Sequence, residues 1–260
     1  EIRLSLVGSE MCIRDRLKLI QQALQDQSAI HLREMAALLD VSEMTLRRDL
    51  SHFSEHLRLL GGYITRVGSE AGDYRVADQG TRHVEEKRRI GKLAARLIQP
   101  GDTVFFDCGT TSPFVIDFIP DELEFTAVCS SLNVLLKLQN KPNCHIVLCG
   151  GTFHRKNQVF ESSAESSILD SVRLTWAFVT AAGVSQEFGV TCFNFNEVEV
   201  KQKVLRQAQQ RVLLADFSKF DTVRTAHFAS LADFQYVVSD KKIPQAYKEA
   251  IQASGAQLLV

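Results

Sequence analysis

Apolar positions along the first third of the chain recur at helical spacing. Leu17, Ile20 and Leu24 predict a helix from Arg16 to Gln27, and the polar stretch Gln25 to Ile30 reads as a short connection. His31 to Leu39 repeats the period with Leu32, Met35, Ala36 and Leu39 on one face. Asp40 and Val41 then predict a tight turn, and Ser42 is a suitable cap for a third helix running to about Phe53. Met44 or Leu46, together with Leu50, is expected to supply the buried stripe of that helix. Three short helices with a tight turn before the third make a helix-turn-helix plan. In Leu57 to Val67 two β-rich runs flank Gly61-Gly62, a hairpin signal because both glycines tolerate positive φ. A hairpin directly after such a helix is a wing.

The texture changes twice more. Val67 to Tyr74 is polar with Gly and Ser, so a linker is expected over residues 68–80. Thr81 to Ile98 predicts a basic helix, with Arg82, Lys87, Arg88, Arg89, Lys92 and Arg96 against Glu85 and Glu86. From Gly101 onward short apolar runs recur (TVFF, FTAVC, HIVLC, WAFVT, RVLLA, FQYVV, QLLV), with helical stretches such as Glu197 to Gln210 and Pro244 to Ala253 between them. Strand alternating with helix predicts a mainly parallel sheet covered on both faces. The expected organisation is a winged helix-turn-helix over 15–67, the linker, and an α/β domain over 81–260. The first stretch, EIRLSLVGSEMCIRDR, keeps no period and resembles a translated sequencing-adapter read. Residues 1–14 are therefore expected to be non-native and contribute nothing to the fold reading.

Composition narrows the classes. The 260 residues carry a formal net charge of −1, which excludes a generally polybasic protein but not a local basic surface. Six cysteines lie without C-x-x-C pairing, several inside apolar runs, and read as buried thiols of a reducing cytosol rather than zinc ligands. No apolar stretch approaches the roughly 20 residues of a transmembrane helix. A cytoplasmic protein is expected.

Chemistry concentrates in two places. In VSEMTLRRDL, Val41 to Leu50, the third helix carries Thr45, Arg47 and Arg48 in its first two turns. Arginine suits guanine O6/N7 and phosphates, and threonine can bond a phosphate or touch a thymine methyl. Asp49 is placed to orient an arginine. An isolated RRD would read as a solvated helix face; behind a helix and tight turn, and ahead of a wing, it reads as a DNA-recognition helix. The second place is FDCGTTS, Phe106 to Ser112, which leaves an apolar strand and enters a helix near Pro113. Gly109 permits close backbone approach, and Thr110, Thr111 and Ser112 offer hydroxyls beside helix N–H groups, an arrangement suited to an anion. It has neither the Walker lysine pattern nor GxGxxG spacing, and it also suits a plain turn. Other strand ends offer Ser131 and Asn133, Gly150 and Gly151, Gly183, and Asp216, Ser218 and Lys219. Ligands of parallel sheets bind at such carboxyl ends, so one shared pocket is expected. Glu197 and Lys201, four apart, suit either that pocket or a simple helical ion pair. Cys149 with His154 lacks a third orienting group for nucleophilic work.

Ser42, Thr45, Leu46, Arg47, Arg48, Asp49 and Leu50 match S-x-x-T-[L/I]-R-[R/K]-D-L throughout, and here the chain resembles the DeoR family of bacterial repressors. The resemblance covers nearly the whole chain from about residue 15, through LLGGYI, VEEKRR, FFDCGTT, FTAVC, LCGG and TCFN. It implies operator DNA bound through Ser42, Thr45, Arg47 and Arg48 by a homo-oligomer, a dimer or higher. It also implies an effector domain folded like ribose-5-phosphate isomerase, without catalysis, cofactor or metal. The family's D-x-G-T-T and D-x-S-K-F motifs match Asp107 to Thr111 and Asp216 to Phe220, which surround a phosphosugar in that family. The effector residues so implied are Asp107, Gly109, Thr110, Thr111, Asn133, Gly150, Gly151, Gly183 and Lys219. Many members have alanine where this chain has Cys108. The nearest pattern implies deoxyribose 5-phosphate as inducer and an operon of deoxyribonucleoside or deoxyribose catabolism as target. The alternative is a sugar-phosphate isomerase-like enzyme carrying a DNA-binding module.

Overall fold

The computed structural model describes residues 13–26, 30–52, 57–60, 62–66, 82–155, 157–162 and 167–260. The expected linker and residues 1–12 lie outside these. The chain divides into two compact units, Glu1–Asp73 and Tyr74–Val260.

In the first unit three helices appear at the apolar stripes: α1 (Ile13–Asp26), α2 (Leu32–Leu38) and α3 (Glu43–His52). Helix α1 starts three residues before the expected Arg16 and so takes in Ile13 and Arg14 of the stretch expected to add nothing to the fold. The connection before α2 ends in a strand that the polar run concealed. This strand, β1 (Ile30–His31), pairs with β3 (Tyr63–Arg66), which also pairs with β2 (Leu57–Leu60) in the expected wing hairpin. Gly62 turns that hairpin at φ +85°. Asp40 makes the tight turn before α3 at φ +51°, a left-handed conformation that Asp tolerates better than most residues. Ile20 and Leu24 from α1, Leu32, Met35 and Leu39 from the α2 segment, Leu46 and Leu50 from α3, and Leu57 and Ile64 from the wing form one core. The stripe of α3 is therefore Leu46 and Leu50, while Met44 stands 77% exposed and takes no part in it.

The second unit is built on a seven-stranded parallel sheet whose strands are the seven apolar runs. They are β4 (Thr103–Phe106), β5 (Phe125–Cys129), β6 (Cys144–Leu148), β9 (Trp176–Thr180), β12 (Gln210–Leu214), β14 (Tyr236–Val238) and β15 (Gln257–Leu259), in the order β15-β14-β12-β9-β4-β5-β6. Successive residues point to opposite faces. Val104, Phe106, Ala127, Phe178 and Leu214 pack one way, against Ile90 and Ala94 of α4 (Val84–Ala95), Val115 and Ile116 of α5 (Ser112–Asp117), and Val134 and Leu138 of α6 (Leu132–Leu138). Phe105, Val128, Val179 and Leu213 pack the other way, against Val204 and Leu205 of α7 (Val198–Gln207) and Tyr247 and Ile251 of α8 (Gln245–Ala253). A three-stranded antiparallel sheet also covers this second face, made of β10 (Gly183–Ser185), β11 (Gly189–Cys192) and β13 (Ala226–Ala229). A short hairpin of β7 (Thr152–His154) and β8 (Val159–Glu161) follows the edge strand β6.

Strand order decides where a ligand can sit. The chain runs outward from β4 through β5 to β6, then returns to the other side of β4 and continues through β9, β12, β14 and β15. The direction of winding reverses between β4 and β9. At such a switch point neighbouring loops leave in opposite directions and open a crevice beyond the carboxyl ends of the strands.

Candidate DNA-reading helix and ligand cavity

Helix α3 is capped as its sequence predicts. The Thr45 backbone N–H donates to Ser42 Oγ at 3.0 Å, and the two hydroxyls lie 2.8 Å apart. Leu46 and Leu50 face the core, which leaves Arg47 and Arg48 exposed on the opposite side. Asp49 is buried and accepts from Arg16 Nε of α1 at 2.7 Å. That ion pair ties α1 to α3, so the aspartate of the motif positions the helix itself. Arg33 of α2 reaches Glu43 at 3.3 Å on the surface, an exposed pair of little energetic weight.

In the second unit a cavity lies at the switch point, lined by Cys108, Gly109, Thr110 and Thr111 after β4 and by Thr180, Ala181 and Ala182 at the end of β9. Cys192, Phe193, Glu197, Lys201 and Lys219 complete it, and its empty space is about 480 Å³ including the solvent at its mouth. Asp107 sits beneath, 2% exposed. Its Oδ2 accepts from the Thr180 backbone N–H at 2.8 Å and from the Lys201 ammonium, which also donates to the Thr180 carbonyl at 3.1 Å. Burial is the largest single influence and opposes the charge on Lys201, but Asp107 together with Cys108, Glu197 and Cys192 outweighs it and holds the ammonium well above the ordinary lysine range. The pair locks the loop after β4 to β9 and α7. Gly109 is required where it stands: at φ +113° a Cβ would come within 2.8 Å of Thr180 Oγ1.

The other sequence-derived positions divide. Asn133 lies behind the turn and donates Nδ2 to the Gly109 carbonyl at 2.6 Å, while its Oδ1 has no partner among the described residues. Lys219 lines the cavity, 3.9 Å from the fully buried Asp216, which caps its own turn by accepting from the Ser218 N–H at 3.0 Å. Gly183 is not part of the lining; a Cβ there would strike the Thr222 carbonyl at 2.4 Å, so its smallness serves packing. Gly150 and Gly151 are also outside it. They follow β6 at the sheet edge, away from the switch point, and Gly151 turns at φ +129° against the Glu161 carbonyl. The shared pocket thus draws on the ends of β4, β9, β11 and β12 and on the first turn of α7, not on every strand end.

Composition and spacing left Glu197 and Lys201 undecided between a pocket and a mutual pair. Both line the cavity, and neither pairs with the other. Glu197 is buried and accepts at Oε1 from Asn157 Nδ2 at 2.9 Å and Asn194 Nδ2 at 2.6 Å. Thr180 and Asn157 carried no signal beyond being polar residues near apolar runs, and Asn194 was marked only as the end of the TCFN run, with no role assigned to it. Among the described cysteines, burial pushes the Cys192 and Cys149 thiols up to about 11, and burial with the neighbouring Asp107 raises Cys108 too. His154 Nε2 faces Glu161 Oε2 at 2.5 Å.

Comparison with known proteins agrees with this division. A family model described as a DeoR-like helix-turn-helix domain matches residues 16–66, and one described as a DeoR C terminal sensor domain matches residues 82–241. The chain is 45% identical over 245 residues to the deoxyribose operon repressor of Escherichia coli (strain K12), covering 94% of this chain and 97% of that protein. It is 30% identical over 254 residues to the transcriptional repressor GlcR of Bacillus subtilis (strain 168), with 95% of each chain covered. Among solved structures it is similar to ribose 5-phosphate isomerase A of Methanocaldococcus jannaschii, at 18% identity, TM-score 0.39, and coverage of 52% of this chain and 53% of that one.

Proposed function

The chain belongs to the DeoR family of helix-turn-helix transcriptional repressors, and on that footing we propose that it represses an operon of deoxyribose or deoxyribonucleoside catabolism and is released from its operator by deoxyribose 5-phosphate. The observation that carries the assignment is the 45% identity to the Escherichia coli deoxyribose operon repressor along almost the full length of both chains. The protein is a regulator rather than an enzyme, as its relatives are. No described helix is long and apolar enough to cross a membrane, and the proposed site of action is the cytoplasm.

On the DNA side, Arg47 and Arg48 reach base edges or phosphates, Thr45 contacts the backbone, and Ser42 holds the helix start that presents them. A homo-oligomer, at least a dimer, reads a palindromic operator. On the effector side, the phosphate lies at the Gly109–Thr111 turn with Lys219 supplying positive charge. Asp107 and Asn133 act from behind by holding that turn. The inducer must favour the state that does not bind DNA, because equal affinity for both states shifts nothing.

The test is fluorescence anisotropy of a deoxyribose-type operator duplex titrated with the full chain at fixed salt, since phosphate contacts make affinity steeply salt-dependent. Tight binding released by deoxyribose 5-phosphate and not by ribose 5-phosphate is the expected result. Tight binding indifferent to both sugars would remove the inducer assignment and keep the operator one.

A further inference from the structure

The lining of the cavity combines opposite charges. Lys219 and the hydroxyls of Thr110 and Thr111 suit an anion; Glu197 repels one. Glu197 is only 7% exposed, and a buried carboxylate persists only if it is hydrogen-bonded. Its bonds are arranged unevenly. Asn157 and Asn194 both donate to Oε1, and among the described residues none donates to Oε2. Lys201, one turn further along, does not neutralise it by contact, because its ammonium is committed to Asp107 and the Thr180 carbonyl. Two neutral amides thus fix the carboxylate in place and leave its charge and one oxygen for whatever enters.

We propose that Glu197 is the residue that reads the sugar: Oε2 accepts hydrogen bonds from the hydroxyl groups of a phosphosugar whose phosphate lies at Thr110, Thr111 and Lys219. A carboxylate is an acceptor only, so it selects donors and disfavours a second phosphate. A hydroxyl bonded to a carboxylate is among the stronger neutral-to-charged hydrogen bonds, and a site built for such a group rejects ligands that lack it. The opposed charges also orient the ligand, phosphate toward the lysine and hydroxyls toward the glutamate. Asn157 and Asn194 are positioning residues for this carboxylate. The assignment rests on the sugar-phosphate reading of the cavity.

Isothermal titration of the full chain with deoxyribose 5-phosphate and with methyl phosphate, which has no hydroxyl to donate, tests it. In Glu197→Gln the amide oxygen still accepts from the two asparagines, while a donor replaces the open acceptor. Sugar-phosphate affinity should fall about 10- to 100-fold, with methyl phosphate unchanged or bound more tightly. Glu197→Asp, which keeps the charge but withdraws it by one methylene, should also lose the sugar and keep methyl phosphate. Equal losses for both ligands would make Glu197 structural and overturn the proposal, as would an unchanged sugar affinity. A wild-type chain that binds deoxyribose 5-phosphate no better than methyl phosphate would overturn it as well. Binding of neither by wild type would remove the sugar-phosphate reading of the cavity itself.

Discussion

The two units handle charge in opposite ways. On α3 the arginines that matter, Arg47 and Arg48, are exposed, and the buried charge is structural: Asp49 held by Arg16. In and beneath the ligand cavity most charged groups are themselves buried, with Asp107, Lys201 and Glu197 all under 10% exposed and only Lys219 partly open. DNA is a large polyanion that comes to a surface, so its readers can remain solvated and cost the fold little. A small ligand must be enclosed, so its readers are desolvated and must hold one another in place. Truncating a DNA reader should therefore alter binding and spare stability, whereas truncating a cavity charge should alter stability as well.

The sharpest attempt to break that contrast is Lys201→Met. It leaves Asp107 buried beside only neutral donors, and breaking a buried pair of this kind costs about 3–5 kcal/mol. Trp176, the only tryptophan, lies on β9 inside the sensor unit and reports its urea unfolding by fluorescence. A midpoint unchanged from wild type would mean that the pair is not the lock described. Next in size are Arg47→Ala and Arg48→Ala, each expected to weaken operator binding by about 1–3 kcal/mol if the side chain reads a base. Circular-dichroism melting should show no loss of stability; an arginine whose removal leaves operator affinity unchanged is not in the interface. Lys219→Ala should leave operator affinity intact and raise the inducer concentration for half-release about tenfold, as expected for loss of one charge-assisted contact. Retained sensitivity in the anisotropy assay would take the lysine out of the effector site. The smallest effect is expected for Ser42→Ala, about 1 kcal/mol of stability in the DNA-reading unit from the lost cap on the Thr45 N–H. Ser42→Gly should cost less; equal losses would mean that Ser42 serves the fold by something other than its Oγ cap.

Legibility in the sequence differs between the units for the same reason. The recognition helix is one local element, so its cap, core stripe and exposed arginines fall within ten consecutive residues, Val41 to Leu50. Even there two assignments needed the fold: Met44 turned outward, and Asp49 found Arg16, 33 positions earlier. The strand β1 was hidden because two residues are too short to display a period. In the sensor unit all seven sheet strands were visible as apolar runs, since strands buried on both faces are apolar throughout. Their spatial order was not visible. Local sequence carries no record of which strand lies beside which, and without that order Gly150, Gly151 and Gly183 look as eligible as Gly109.

The sequence by itself determined the winged helix-turn-helix, the parallel-sheet class of the second unit and the family, because capping, periodicity and contiguous motifs are properties of neighbouring residues. It also pointed to the Asp107–Thr111 turn and to Lys219. Only the tertiary structure decided that the chain reverses between β4 and β9, that the Asp107–Lys201 pair spans 94 positions, and that Asn157 and Asn194 converge on Glu197. Those pairings exist because buried charges must find partners, and the partners are chosen by proximity in the folded sheet rather than by spacing along the chain.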